Sequence, residues 1–415
     1  MIVNICVTYN RNMRAVCFVK RFEFDLNGAV FPSALSIDDV DNDGNNELVV
    51  GNMSGELSIF KSDRMWQKFT GLGMITALGI GDIFNIGSNA LVVVGGDGWC
   101  HILFKPKQDD AVDQKKAKLE SVYVQRIPAN TKVVLLGDID GDGCTEMVMG
   151  LTDRVVRSYR WVADSDEPGR GKLIGLHKWE CANQIGTVTL NRLHDGTTYL
   201  LVAQPGGTLM KIRCHTSEEE GTVNSEMLAA TSVEYHTLSR MLNPNVSTEI
   251  QGGIKMGHTD SSLSPLYAVA TLDGTLMLVQ DENVVWSIQV DHQLFALTKL
   301  DMTGDGRDEI VACSWDGQTY ILDQEKCIVC FQLEESVMSF CSGYYTLQPG
   351  QPPVPCLVYT TFTNKVICPA TELTERVRQV PGLPQSSHLQ VLRLVFCFVH
   401  FRSSHSNAEL FTSYF

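Results

Sequence analysis

The chain has 415 residues, 44% of them hydrophobic, with 34 glycines and 14 prolines; this composition describes a folded, turn-rich protein of two or three domains or one repeat array. A net charge of −15 leaves no basic stripe to neutralise phosphates and so excludes nucleic acid as a partner. No apolar run reaches the length of a membrane span; VLRLVFCFVHF (391–401) is about half of one and carries Arg393.

The first element is AVCFVKRFEF (15–24), an apolar stretch expected to donate a strand that closes a ring. Next comes DVDNDGNNELVVG (39–51), with Asp39, Asp41 and Asp43 at alternate positions and Glu47 behind them. A strand, a Ser54-Gly55 turn and the strands LSIF and MWQKF (65–69) follow. Glycine accepts the positive φ that such two-residue turns require. The unit then recurs. Asp82 leads to Gly98 and SVYVQRI (121–127), and GDIDGDGCTEMVMG (137–150) leads to Arg154. Weaker copies turn at Gly207 and Asp273-Gly274, the latter followed by VVWSIQV (284–290). DMTGDGRDEIVA (301–312) leads to Asp316-Gly317 and CFQLEES (330–336), and CLVYTTFTNKVI turns at Asn364-Lys365. From Asp39 to Gly55, Asp82 to Gly98, Asp138 to Arg154 and Asp301 to Gly317 the offset is always 16 positions. Seven units of this length, with four strands each, predict an all-β, seven-bladed β-propeller. The polar segments 105–120, 163–172 and 215–226 are expected to be loops.

Aspartates so close together repel unless a cation or backbone N–H groups sit among them. An EF-hand would need its bidentate acid at position 12 of the loop, where this chain has Val50 and Met149, both strand residues. The pattern DxDxDGxxE, followed by a strand and a small-residue hairpin, instead resembles the FG-GAP repeat of integrin alpha subunits. The resemblance is carried further by IPANTKV (127–133), TDRVVR (152–157), WSIQVDHQLFAL (286–297) and SWDGQTYIL (314–322). It implies calcium held by Asp39, Asp41, Asp43 and Glu47 with the Asn45 carbonyl, and by Asp138, Asp140, Asp142 and Glu146 with the Cys144 carbonyl. Asp301, Asp305 and Glu309 form a weaker third set, because Thr303 replaces an acid. The second repeat has Phe84, Ile86 and Ala90 where acids would stand, and the fourth keeps only Asp195 and Gly196. The alternative reading needs no ion: Asp and Asn side chains cap such loops by accepting local N–H bonds.

The branch of the family that the chain resembles further implies a non-enzymatic subunit of the KICSTOR complex. Such a subunit works with other KICSTOR subunits to recruit a GTPase-activating complex to lysosomes, and so restrains target-of-rapamycin kinase when nutrients are short. The resemblance covers about 14–367, giving a 1–12 extension expected to be disordered, a propeller over 13–367 and a divergent tail over 368–415. Pro369 is expected to interrupt its strand.

No catalytic pattern is visible. Ten histidines are scattered, and Asp291-His292 is the most tempting pair, in a context that suits packing better than chemistry. No glycine loop for nucleotide phosphates is present. Thirteen cysteines, among them Cys100, Cys313 and Cys356 inside apolar runs, read as reduced thiols of a cytoplasmic chain. Cys327 and Cys330 form a lone CxxC without a second pair at zinc spacing. Trp99, Trp161, Trp286 and Trp315 lie at strand positions that suit blade cores better than interface hot spots, though one or two on the ring's rim would suit either role. Two rivals to a scaffold remain: a calcium-dependent adhesion or receptor propeller, which calls for a signal peptide that MIVNICVTYN does not resemble, and a propeller enzyme with a site in its central channel.

Overall fold

The computed structural model describes residues 5–6, 20–105, 118–165, 167–193, 195–214, 231–238, 243–257 and 265–370. Strand after strand pairs antiparallel with its sequence neighbour, and the strands group into seven sheets of at least four strands each. The first blade is Leu35–Asp38, Glu47–Gly51, Leu57–Lys61 and Arg64–Phe69, and the others repeat this order. The second strand of each blade is the most completely buried, because neighbouring blades cover it on both sides. Glu47–Gly51, Ala90–Gly95, Glu146–Leu151 and Leu266–Thr271 are buried at every position. That is why these strands read as continuous apolar runs and not as an alternation.

The core runs as a chain of clusters, each shared by neighbouring blades. One joins blades seven, one and two through Val358, Leu48 and Leu91. Five more join two and three, three and four, four and five, five and six, and six and seven. The chain of contacts therefore returns to its start.

One backbone hydrogen bond recurs in every blade. The residue at the turn between second and third strands has positive φ: Gly55, Gly98, Arg154, Gly207, Gly274, Gly317 and Asn364. Its carbonyl accepts the N–H of a residue that follows the blade's fourth strand, by three positions for Leu72 and directly for Ile127, Cys181, Leu238, Val290, Leu333 and Leu26, at 2.8–3.2 Å. A side chain at Gly317 would collide with the Leu333 carbonyl at this approach. In the seventh blade the donor, Leu26, belongs to the N-terminal strand Lys20–Asp25, which pairs with Lys365–Ala370 and completes the ring. The expected closing strand at 15–24 is therefore found at Lys20–Asp25; residues 15–19 lie outside the described residues.

Several expectations need correction. Pro369 does not end its strand: Lys365–Ala370 is a central strand with Pro369 opposite Arg21. Its ladder to Val354–Thr361 shows pairs at Val366, Ile367 and Ala370 but none at Cys368 or Pro369, where the missing N–H removes a bond. The strand expected at 330–336 is Ile328–Gln332, and 333–336 forms the link into the seventh blade. In the 1–12 extension, Ile5–Cys6 pairs with Phe331 and Cys330 as a fifth strand of blade six; the rest of the extension lies outside the described residues. So do the tail from 371 onward, the loop 215–226 and most of 105–120. The hairpin at 163–172 is shorter than expected, since its strands reach Ala163 and resume at Gly171. No described helix is long and apolar enough to cross a membrane.

Candidate functional site

The acidic loops join the first and second strands of blades one, three and six, so they share one face of the ring. The 2–3 turns occupy the other face. In each loop the first aspartate caps its own backbone. Asp39 accepts from the N–H groups of Asp43 and Gly44 at 3.2 and 2.8 Å. Asp138 accepts from Gly141 and Gly143, and Asp301 from Gly304, Asp305 and Gly306. Asp82 does the same for Ile86 and Gly87 in the loop that lacks the other acids. The cap is therefore made by the loop's own backbone even where the other acids are missing.

The remaining carboxylates converge. Oxygens of Asp39, Asp41 and Asp43, and of Asp138, Asp140 and Glu146, lie within 4.8 Å of one another. Basic side chains reach into both groups. Lys61 Nζ stands 2.9 Å from Asp41, 2.8 Å from Asp43 and 3.1 Å from Glu47, and Lys105 Nζ is 3.0 Å from Asp41. In the third blade Arg160 forks across the cluster: Nε donates to Glu146 at 2.6 Å, and the terminal nitrogens reach Asp140 at 3.1 Å and Asp142 at 2.8 Å. Arg160 stands opposite Glu146 in the ladder, and Lys61 lies one step beyond the Leu48–Phe60 pair, opposite Glu47.

Burial pushes the Glu47 carboxyl up to about 8 despite Lys61, and the Asp41 charge adds to the rise. Burial likewise takes Glu146 up to about 7, against the Ile139 N–H and Arg160. Burial pulls the Lys61 ammonium down, but the carboxylates of Glu47, Asp43 and Asp41 outweigh it and hold it above its usual range. These are buried acids screened by a tethered cation, an arrangement whose net energy is small while both partners are present.

The sixth loop differs. Ile310 pairs with Leu322, so the place opposite Glu309 belongs to Asp323, another acid. Asp305 caps Arg307 N–H at 2.9 Å, and Thr303 donates to Asp301 and Glu309 at 3.4 and 3.5 Å. The nearby cations serve other acids: Arg307 pairs with Glu325 at 2.8 Å and Lys299 with Asp308 at 3.3 Å.

A hard cation asks for six or more oxygen donors. In the first loop Asp41 Oδ1 is buried and has no hydrogen-bond partner, so one oxygen of this carboxylate is left unspent. The first loop thus fits calcium, on condition that Lys61 gives way. In the third loop Asp140, Asp142 and Glu146 are all bonded by Arg160.

The loops also latch blades together. Asn42 and Asn89 exchange bonds of 3.0 and 2.7 Å between blades one and two. Asn85 accepts from Thr145 N–H across blades two and three at 2.6 Å, and Asn46 donates to the Tyr344 carbonyl of blade seven at 2.8 Å. Sequence reasoning missed Lys61, Lys105, Arg160 and these asparagines.

The other expected sites separate. His292 lies in the link before Leu294–Leu300, with Nδ1 2.6 Å from Asp316, and the Ser314 hydroxyl donates to the other Asp316 oxygen, on the far side of the carboxylate from the imidazole. Cys100, Cys313 and Cys356 are fully buried, and burial pushes the Cys100 thiol up to about 12. Trp161 and Trp286 are core residues as expected, but Trp99 and Trp315 are exposed on the turn face.

A closed ring of seven four-stranded blades, with capped DxDxDG loops on one face, defines an FG-GAP-type propeller. The model of the family "Integrin-alpha FG-GAP repeat-containing protein 2" matches residues 60–369. The chain belongs to that family. It is 44% identical over 375 residues to the mouse (Mus musculus) "KICSTOR complex protein ITFG2", covering 85% of this chain and 84% of that one. To the Bos taurus protein of the same name it is 41% identical over 376 residues, covering 85% and 70%. Among solved structures it is similar to BBS1N, crystallised in complex with ARL6DN, at a TM-score of 0.60 and 14% identity over 86% of this chain and 98% of that one. It is also similar to the Cps50 (Swd1) beta-propeller domain of Myceliophteria thermophila, at a TM-score of 0.53 and 11% identity over 86% of this chain and the whole of that one. Both share the fold.

Proposed function

We propose that the chain is a non-enzymatic scaffold subunit of a KICSTOR-type complex. It works in the cytoplasm, held at the lysosomal surface through its partners. There it helps recruit a GTPase-activating complex that restrains target-of-rapamycin kinase when nutrients are short. The observation that carries this reading is the 44% identity to a protein bearing the complex's name, spread over 85% of this chain and so over nearly the whole ring. The test is expression of the tagged chain in cells lacking their own copy. It should co-purify with the other subunits and restore loss of kinase signalling on amino-acid withdrawal. Signalling that persists through withdrawal, with no subunit recovered, would refute it.

We read the acidic loops as braces of this scaffold. Asp39, Asp41, Asp43 and Glu47, with the Asn45 carbonyl, would hold calcium in the first loop, where it would supply the charge that Lys61 supplies without it. The unspent Asp41 oxygen supports that assignment. In the third and sixth loops the capped first aspartate and the strand-to-strand cation or hydroxyl are the working parts. Calorimetric titration of the purified chain with calcium tests it: one weak site lost in Asp41→Asn is expected, and heat unchanged by that substitution counts against it.

A further inference from the structure

The turn face is not uniform. Two residues before each positive-φ turn position the seven blades carry Met53, Gly96, Thr152, Pro205, Leu272, Trp315 and Phe362. Four consecutive blades, five, six, seven and one, place a large apolar side chain there; the other three do not. The fold does not require it, since blades two to four make the same turn and the same carbonyl bond. Leu272 packs against the core cluster of blades six and seven, but the core does not absorb the other three. Phe362 is 60% exposed, Met53 41% and Trp315 36%, with Trp315 stacked on buried Phe295 at 4.0 Å. Between them lies a cavity of about 340 Å³, lined by Phe31, Pro32, Met53, Trp315, Met338 and Phe362. That volume is in the range of ligand and side-chain pockets, and no titratable group lines it. A grouped apolar patch of this kind marks an interaction surface.

The charge around it says what fits. Asp273, Asp291, Asp316, Glu334 and Glu335 stand on the turns and links of blades five and six that border the patch, with Asp273, Asp291, Asp316 and Glu334 exposed. The nearby positive groups are largely spent: His292 is held by Asp316, and Lys68 by Glu56 at 2.9 Å. Lys365 stands opposite Asp25. A second copy docking through the same face would bring acid against acid, and an anionic membrane would be repelled in the same way.

We propose that this sector of the turn face receives a segment of another protein carrying large apolar side chains flanked by lysine or arginine, the apolar anchors entering the pocket beside Trp315 and Phe362. This rests on the scaffold reading above and names the surface that the scaffold presents.

The experiment places a photo-cross-linking benzoylphenylalanine at Phe362 in the full chain, and in a second sample at Thr152, the same slot in the polar sector. Both are expressed in cells and the complex is purified. A cross-link from position 362, several-fold above that from 152, to an apolar segment rich in lysine or arginine is expected. It should fall at least fivefold in an Asp273→Lys/Asp316→Lys background. No cross-link from 362 within an intact complex overturns the proposal while leaving the scaffold reading in place, as does a link to an acidic segment, a lipid or a second copy. If no complex forms, the scaffold reading fails, and the surface is judged on the purified chain. There a 16-residue peptide alternating leucine and lysine should bind at least tenfold tighter than its leucine–glutamate counterpart, with that preference lost in Phe362→Ser. A preference untouched by Phe362→Ser overturns the proposal.

Discussion

The first and sixth acidic loops have the same length and nearly the same acids, yet they settle their charge differently. Around Asp41, Asp43 and Glu47 stand two lysines, Lys61 from the third strand of the same blade and Lys105 from blade two. Around Asp301, Asp305 and Glu309 the position just after the third strand contributes Asp323 instead, and a threonine replaces the middle aspartate. The shared part, the first aspartate bonded to backbone N–H groups, shapes the loop. The variable part decides which group faces the buried glutamate across the ladder. The spacing of acids alone therefore does not define a metal site; the residue facing the last acid across the ladder matters as much.

The comparison can be broken most sharply in the third blade, where one residue carries the whole balance. Arg160→Met leaves Glu146, Asp140 and Asp142 without their cation. Removing one partner of a buried pair costs about 3–5 kcal/mol; with the Arg160 side chain 26% exposed, about 2–3 kcal/mol is expected in urea unfolding. Lys61→Met should cost less, about 1–2 kcal/mol, because Lys105 remains beside Asp41. Equal losses at the two sites would mean that the tethered cations are not what distinguishes the loops.

Next in size is the cap. Asp82→Ala and Asp301→Ala should each lose about 1–2 kcal/mol, since both remove carboxylate bonds to loop N–H groups. If Asp82→Ala proves neutral while Asp301→Ala does not, the first aspartate acts through an ion and not through the backbone.

A smaller effect lies in pH. Glu47 and Glu146 have folded values near 8 and 7, above their unfolded value of 4.5. The folded state thus binds more protons than the unfolded one between these limits, so this contribution is complete below about pH 4.5 and is lost as pH rises towards 8. Melting midpoints should decline across pH 5–8, and Glu47→Gln and Glu146→Gln should flatten the decline. A midpoint that climbs steadily over that range in wild type would reverse the sign of the argument.

The smallest expected change is with calcium itself. Because Lys61 already serves the first loop, millimolar calcium should raise the wild-type midpoint by only a degree or two, corresponding to roughly 0.5 kcal/mol of linkage. Lys61→Met should enlarge the rise by freeing the donors. A chelator that leaves both proteins unmoved removes calcium from the account without touching the caps.

The site was partly legible in the sequence. Lys61 and Arg160 each follow their glutamate, Glu47 and Glu146, by 14 residues, and the same offset from Glu309 gives Asp323. The antiparallel ladder turns that offset into a facing pair, so the tethered cations could have been found by counting across the hairpin. Lys105 could not. It comes from the next blade, and only the angle between blades brings it to Asp41. The asparagine latches are hidden for the same reason. The tryptophans show the limit from the other side: Trp161, inside its strand, is core because blade two covers it, whereas Trp315, just past the end of its strand, is exposed.

What the sequence determined by itself was the unit and its number: a 16-residue offset fixed the turns, and apolar second strands fixed which segments must be covered on two faces. Local chemistry suffices there, because positive φ and carboxylate caps act within a few residues. The tertiary structure decided how the ring closes, with Leu26 supplying from the N-terminus the bond that six other blades make in sequence, and how Pro369 is accommodated in its strand. It also decided which charges meet and which apolar side chains remain on the surface. Those outcomes depend on contacts between residues tens to hundreds of positions apart, which no window of sequence contains.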